Sequence, residues 1–128
     1  ALYKMNVSSI TVSNRTKVKA IDLKKNFQNL EVIDWGNIPD FDMIINATSV
    51  GLNKSDKLDL DFSNVRNNKL FYDIIYNPQE TFFLKTGKML GNISENGMMM
   101  FIYQAHQAFT IWHNIMPEIN DETIKILK

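Results

Sequence analysis

The sequence predicts an α/β fold of the doubly wound class: a mostly parallel sheet with helices over its faces. Two observations carry that expectation. Short apolar, β-branched runs alternate with stretches of helical periodicity, the order that crossovers between parallel strands require. Basic, small or hydroxyl-bearing residues follow directly after those runs, where open α/β sheets present their ligand-binding edge. With 128 residues, 45% hydrophobic and 22% charged, the chain is long enough to bury one core of this kind.

Ala1-Leu2-Tyr3-Lys4-Met5 reads as the last turns of a helix ending near Asn6, and Ser9 to Ser13 as a short strand. Thr16 is placed to cap a helix running to about Phe27, with Val18, Ile21 and Phe27 as its buried stripe. Leu30 to Ile33 is a second strand. Pro39 and Asp40 mark a turn, and Asp42 to Asn46 is a third strand, apolar enough to be buried on both faces. From Gly51 to Asn68 the chain is a polar loop, with a short turn near Leu60–Phe62. Leu70 to Ile75 is a fourth strand, closed by Asn77-Pro78, and Thr81 to Leu90 a helix stopped by Gly91. The apolar run from Gly97 to Trp112 is a long helix, and Asp121 to Leu127 a short terminal one. A dinucleotide-binding, Rossmann-like sheet shows this order once its first strand and Gly-rich turn are removed, and no G-x-G-x-x-G is present. The expected fold is therefore incomplete at its N-terminus.

Composition excludes several function classes. Lys and Arg balance Asp and Glu at 14 each, so no overall field steers the chain toward nucleic acid or a membrane surface. The absence of cysteine removes disulfides, thiolate metal sites and a thiol nucleophile. The long apolar run is broken by Gln104, His106 and Gln107 and falls short of the roughly 20 residues of a membrane span. The opening residues do not read as a secretory signal, and a cytoplasmic location is expected. His106 and His113 lie seven apart on one helical face without a third ligand, so no metal site is expected.

Three strand ends carry candidate chemistry. After the first strand stand Asn14, Arg15, Thr16 and Lys17, with Lys19 two further on and no carboxylate in the turn. In nucleotide-binding sheets an acid at this place accepts from the 2′-hydroxyl of NAD, whereas an Arg accommodates the 2′-phosphate of NADP. Arg15 offers a planar fork, and Thr16 and Lys17 add donors; each charged contact can favour NADP about ten- to a hundredfold. A solvated basic turn leading into a helix fits the same pattern. After the third strand, Thr48 and Ser49 are placed to border a ligand and Gly51 allows close backbone approach, while simple closure of a strand end explains them equally well. Tyr76 emerges at the same sheet edge with its hydroxyl available, or it merely packs.

Taken in order, "SNRTKVKA", "INATSVG", "YDIIYNP" and "GNISENGMMMFIYQAHQAFTIWH" resemble the C-terminal half of the shikimate dehydrogenase family. The resemblance runs from the strand before Asn14 to the helix ending near His113. It implies that Asn14, Arg15, Thr16 and Lys19 hold the 2′-phosphate of NADP, and that Asn46, Ala47, Thr48 and Ser49 line the cofactor near its nicotinamide end. Ile74 is then expected against the nicotinamide, with the Gly97 backbone beside it, and Tyr76 and Gln104 at the substrate. The Gly-rich pyrophosphate loop of the family, and the substrate domain whose Lys and Asp assist proton transfer, do not stand in this sequence. The expectation is an NADP-binding domain fragment over residues 1–128, with C-terminal helices from about residue 95 and no activity on its own. The implied parent reaction is the reversible reduction of 3-dehydroshikimate to shikimate by NADPH. A quinate/shikimate enzyme of the same family and a non-catalytic Rossmann-like binding module are the alternatives. An isolated piece of this kind is also expected to associate as a homodimer or by swapping.

Overall fold

The structure, a computed structural model, describes residues 2–27, 29–53 and 55–127. Ala1, the first residue of the expected opening helix, lies outside the described residues, as do Gln28, Lys54 and Lys128. The chain divides into two compact units, one of residues up to Asp40 together with Asp59–Asn64, the other of Phe41–Leu58 and Val65 onward.

The first unit begins with a single 3-10 turn, Leu2–Met5, which ends where Asn6 takes a left-handed conformation (φ 53°). Strand β1 (Ile10–Val12), helix α1 (Lys17–Asn26) and strand β2 (Leu30–Val32) follow. β1 and β2 pair in parallel, Ile10 opposite Leu30 and Val12 opposite Val32, with α1 as the crossover that parallel pairing needs. This unit buries Ala20, Leu30 and Phe62. The stripe expected on α1 is different: Val18, Ile21 and Phe27 are 63%, 43% and 45% exposed, and Ala20 is the residue buried. A two-stranded ladder gives the helix a narrow floor, and a methyl group suffices to seal it. The turn expected near Leu60–Phe62 comes later, where the Asp61 carboxylate accepts from the Ser63 N–H at 2.9 Å.

The second unit holds β3 (Met43–Asn46), β4 (Leu70–Asp73), α2 (Phe82–Met89), β5 (Ile93–Glu95), α3 (Met98–His113) and α4 (Asp121–Ile126). Its sheet runs β3-β4-β5, all parallel, with Ile44 opposite Phe71, Asn46 opposite Asp73, and Phe71 opposite Ser94. Central strand β4 is the most buried. Phe71 is wholly enclosed, its ring 5.1 Å from that of Phe83 and 5.9 Å from that of Phe41 in an edge-on contact. Ile75, Leu84, Met98 and Ile102 complete this core. β3 departs from the expectation of burial on both faces, because it is the edge of its own sheet; Met43 and Ile45, which share a face, are 38% and 37% exposed. β5 is an addition to the elements expected from sequence. Its three residues sit within Asn92-Ile93-Ser94-Glu95-Asn96, which has no apolar periodicity to announce a strand.

α2 is capped as its sequence predicts: the Thr81 hydroxyl accepts from the Leu84 N–H at 3.3 Å, and Gly91 ends the turn at φ 76°. Among the described residues, no helix is long and apolar enough to cross a membrane.

Candidate functional site

The turn after β1 is built around Asn14. Its side-chain oxygen accepts from the Thr16 N–H at 2.8 Å, an Asx turn that leads directly into α1. Thr16 occupies the cap position as expected, but its hydroxyl makes no capping bond; the bond at this turn is the one that Asn14 accepts from the Thr16 N–H. Arg15 and Lys19 are exposed, and neither forms an ion pair among the described residues. No acidic residue stands in the first turn of α1, so its positive end and these two cations share one surface. Lys17 differs from its neighbours. Its ammonium lies 2.6 Å from a carboxylate oxygen of Asp34, which follows β2. The turn is free of acids along the chain but not in space.

In the second unit, the carboxyl ends of β3 and β4 open onto a cleft of about 580 Å³, within the range of small-molecule sites. It is lined by Ala47, Thr48, Ser49, Leu52, Ile74, Ile75, Tyr76 and Asn77. Ala47, Thr48, Ser49, Ile74 and Tyr76, all candidates from sequence, are therefore brought together here; Leu52, Ile75 and Asn77 join them without a sequence signal. Gly97 stands behind this wall rather than in it. It is buried, donates its N–H to the Ile75 carbonyl at 3.1 Å, and packs so closely that a Cβ would collide with the Ile74 carbonyl.

Tyr76 is held by stacking on Phe101 of α3, centroids 4.6 Å apart and planes 22° from parallel. Gln104, one turn further along α3, is exposed and outside the cleft lining. Its amide has no need of an internal partner, since water reaches it.

Asp73 organises the cleft from below, and sequence reasoning gives it no role. Wholly buried, its carboxylate accepts from Asn46 Nδ2 at 3.1 and 3.2 Å, from the Ile75 N–H at 3.0 Å and from the Thr81 hydroxyl at 2.7 Å. Asn46 then reaches upward. Its Nδ2 donates to the Val50 carbonyl, and its Oδ1 accepts from both the N–H and the hydroxyl of Thr48 at 3.1 and 2.8 Å. One carboxylate thus ties the Asn46–Val50 loop, the end of β4 and the start of α2 into a fixed frame. The Thr48 hydroxyl stays in place because Asp73 fixes Asn46, its partner.

Below the loop, the Asp56 carboxylate accepts from the N–H groups of Gly51 and Asn53, which holds its carboxyl below the usual carboxylate value and folds Leu52 against the cleft. The histidines serve packing: the His106 ring donates from Nε2 to the Pro117 carbonyl at 2.8 Å, and His113 lies on Phe109. Among the described residues, no cluster of three His, Cys, Asp or Glu could hold a metal ion.

Parallel strands with helical crossovers, and a cleft at their carboxyl edge, define a Rossmann-like α/β fold. No family model matches the chain. Its relatives nevertheless agree. The chain is 54% identical over 127 residues to the shikimate dehydrogenase (NADP(+)) of Pelagibacter ubique, covering 99% of this chain and 48% of that protein. It is 40% identical over 135 residues to the enzyme of the same name from Caldicellulosiruptor saccharolyticus, again with 99% and 48% covered. The shikimate 5-dehydrogenase of Thermus thermophilus, solved in complex with NADP(H) and shikimate, superposes with a TM-score of 0.83 at 26% identity, over 99% of this chain and 47% of that one. The chain is homologous to shikimate dehydrogenases, and it spans about half the length of the curated relatives it matches.

Proposed function

We propose that this chain is the NADP-binding part of a shikimate dehydrogenase, and that the whole protein reversibly reduces 3-dehydroshikimate to shikimate in the cytoplasm. The observation that carries the reading is Arg15, exposed in the turn after β1 and in no ion pair among the described residues, in a chain homologous to NADP(+) enzymes over nearly all its length. The absence of cysteine suits a reducing compartment.

The residues present fit a dinucleotide phosphate. Arg15 supplies a planar pair of donors to the 2′-phosphate, Lys19 a second cation and Thr16 a free hydroxyl, with Asn14 shaping the turn. In the second unit, Ala47, Thr48 and Ser49 form a wall of small side chains, and Ile74 an apolar one, suited to a flat ring such as nicotinamide. NADPH, when bound, supplies the hydride. The chain's contribution is to orient the donor ring and to exclude water from its face. Tyr76, stacked on Phe101, presents a hydroxyl for a substrate oxygen, and Gln104 stands one helical turn beyond Phe101 for a second contact once substrate is bound.

Among the described residues, no carboxylate, lysine or histidine lines the cleft. The proton for the reacting oxygen therefore comes from groups outside it, and this chain alone is expected to be inactive. The test is titration of NADP and NAD against the full-length protein and its Arg15→Gln variant. Loss of a charge-assisted phosphate contact should weaken NADP about tenfold or more and leave NAD unchanged. Equal weakening of both coenzymes would overturn the reading.

A further inference from the structure

The basic turn is not entirely at the disposal of a ligand, because Lys17 already has an anionic partner. We infer that Asp34 is a specificity-determining residue that restrains preference for the phosphorylated coenzyme; this rests on the reading of the turn as a 2′-phosphate site. Asp34 lies outside the turn in sequence, 17 positions after Lys17, and β2 carries it there by pairing in parallel with β1. Its oxygen sits 2.6 Å from the Lys17 ammonium, while both side chains stay more than half exposed, at 53% and 66%.

Exposure decides how the pair behaves. A solvated ion pair is weak and readily exchanged, so an arriving phosphate of nearly two negative charges outcompetes a single carboxylate for the ammonium. The exchange leaves Asp34 beside a dianion with its own partner withdrawn. That repulsion acts on a 2′-phosphate and not on a 2′-hydroxyl. Lys17 and Asp34 together thus form a neutral pair toward NAD and a partly opposed pair toward NADP, whereas Arg15 and Lys19 remain uncompensated cations for either.

The test uses Asp34→Asn in the full-length protein, which keeps the shape and a hydrogen-bond acceptor for Lys17 but removes the charge. Dissociation constants for NADP and NAD are measured by calorimetry at low salt, where exposed charges are least screened. The ratio of the two affinities should move about three- to tenfold toward NADP. A general loss of folding would lower both affinities together and leave the ratio in place. In a Lys17→Met background the same substitution should shift the ratio differently, since the exchange of partners no longer occurs. An unchanged ratio in Asp34→Asn, with Arg15→Gln still selectively weakening NADP, would overturn the inference while leaving the 2′-phosphate site intact. If Arg15→Gln is also without selective effect, both fall together.

Discussion

Asp73 shows what one buried side chain can fix. Every group around its two oxygens donates, so the position demands an acceptor on both sides. Asp73→Asn would turn an NH2 toward the Thr81 hydroxyl or the Asn46 amide and leave a donor unmatched in a fully buried site. A loss of about 2–4 kcal/mol in unfolding free energy is expected, measured by denaturant titration. Thr81→Val removes one donor and the α2 cap and should cost about 1–2 kcal/mol. Such residues are the least legible from sequence. Thr48, Ser49 and Tyr76 can be found by counting from the ends of apolar runs, Ile74 only through the family resemblance, and the cleft gathers them. The partners of Asp73 lie 27 and 8 positions away, and that of Lys17 lies 17 away. The 27- and 17-residue pairings are created by strand register, which no local pattern encodes, and the Thr81 pairing by the loop that leads from β4 into α2.

At the scale of elements, α2 lies tightly against the sheet at Gly87. A Cβ there would lie 2.6 Å from the Phe71 ring and 2.7 Å from the Ser94 hydroxyl, which itself donates to the Leu84 carbonyl at 3.0 Å. Gly87→Ala must lift α2 off β4 and β5. A destabilisation of about 1–3 kcal/mol should appear as a lower melting temperature, despite the better helix propensity of alanine. The loop from Gly51 to Asp56 has a pH signature. Because bonds from two backbone N–H groups hold the Asp56 carboxyl below its ordinary 3.8, its ordering contribution is complete above that pH and disappears as pH falls through the lowered value. The Gly51 and Asn53 amides should therefore exchange faster with solvent only in strong acid, and Asp56→Asn should show the faster exchange at neutral pH; unchanged exchange in that variant would remove the role given to Asp56. The helices after the opening turn and the four apolar strands can be located from the sequence, with ends misplaced by a residue or two, but the buried face of α1 cannot, since its expected stripe is exposed and Ala20 is buried instead. β5 cannot, since three polar-flanked residues carry no period. Nor can the exposure of β3, because an apolar run does not record whether its strand stands at a sheet edge.

For the molecule as a whole, the largest mismatch between sequence and environment is on its two last helices and the segment joining them. α3 buries only Met98 and Ile102, while Ile111 and Trp112 are each 77% exposed, Met116 is 70% exposed, and Tyr103, Ile115 and Ile126 are exposed too. Exposed apolar side chains that gather on neighbouring stretches of chain are a feature of interaction surfaces. The formal net charge is zero at pH 7, so no general repulsion opposes contact between copies. We therefore propose that the chain, studied by itself, self-associates through this surface. Sedimentation velocity should show mass rising with concentration, and Trp112 fluorescence should shift to shorter wavelength as its indole leaves water. Ile111→Glu and Trp112→Glu together should return it to a monomer without lowering its melting temperature, since neither side chain is part of the core. Association that persists in that variant would move the contact to the sheet edges at β3 and β5, and a monomer at every concentration in the unaltered chain would end the proposal.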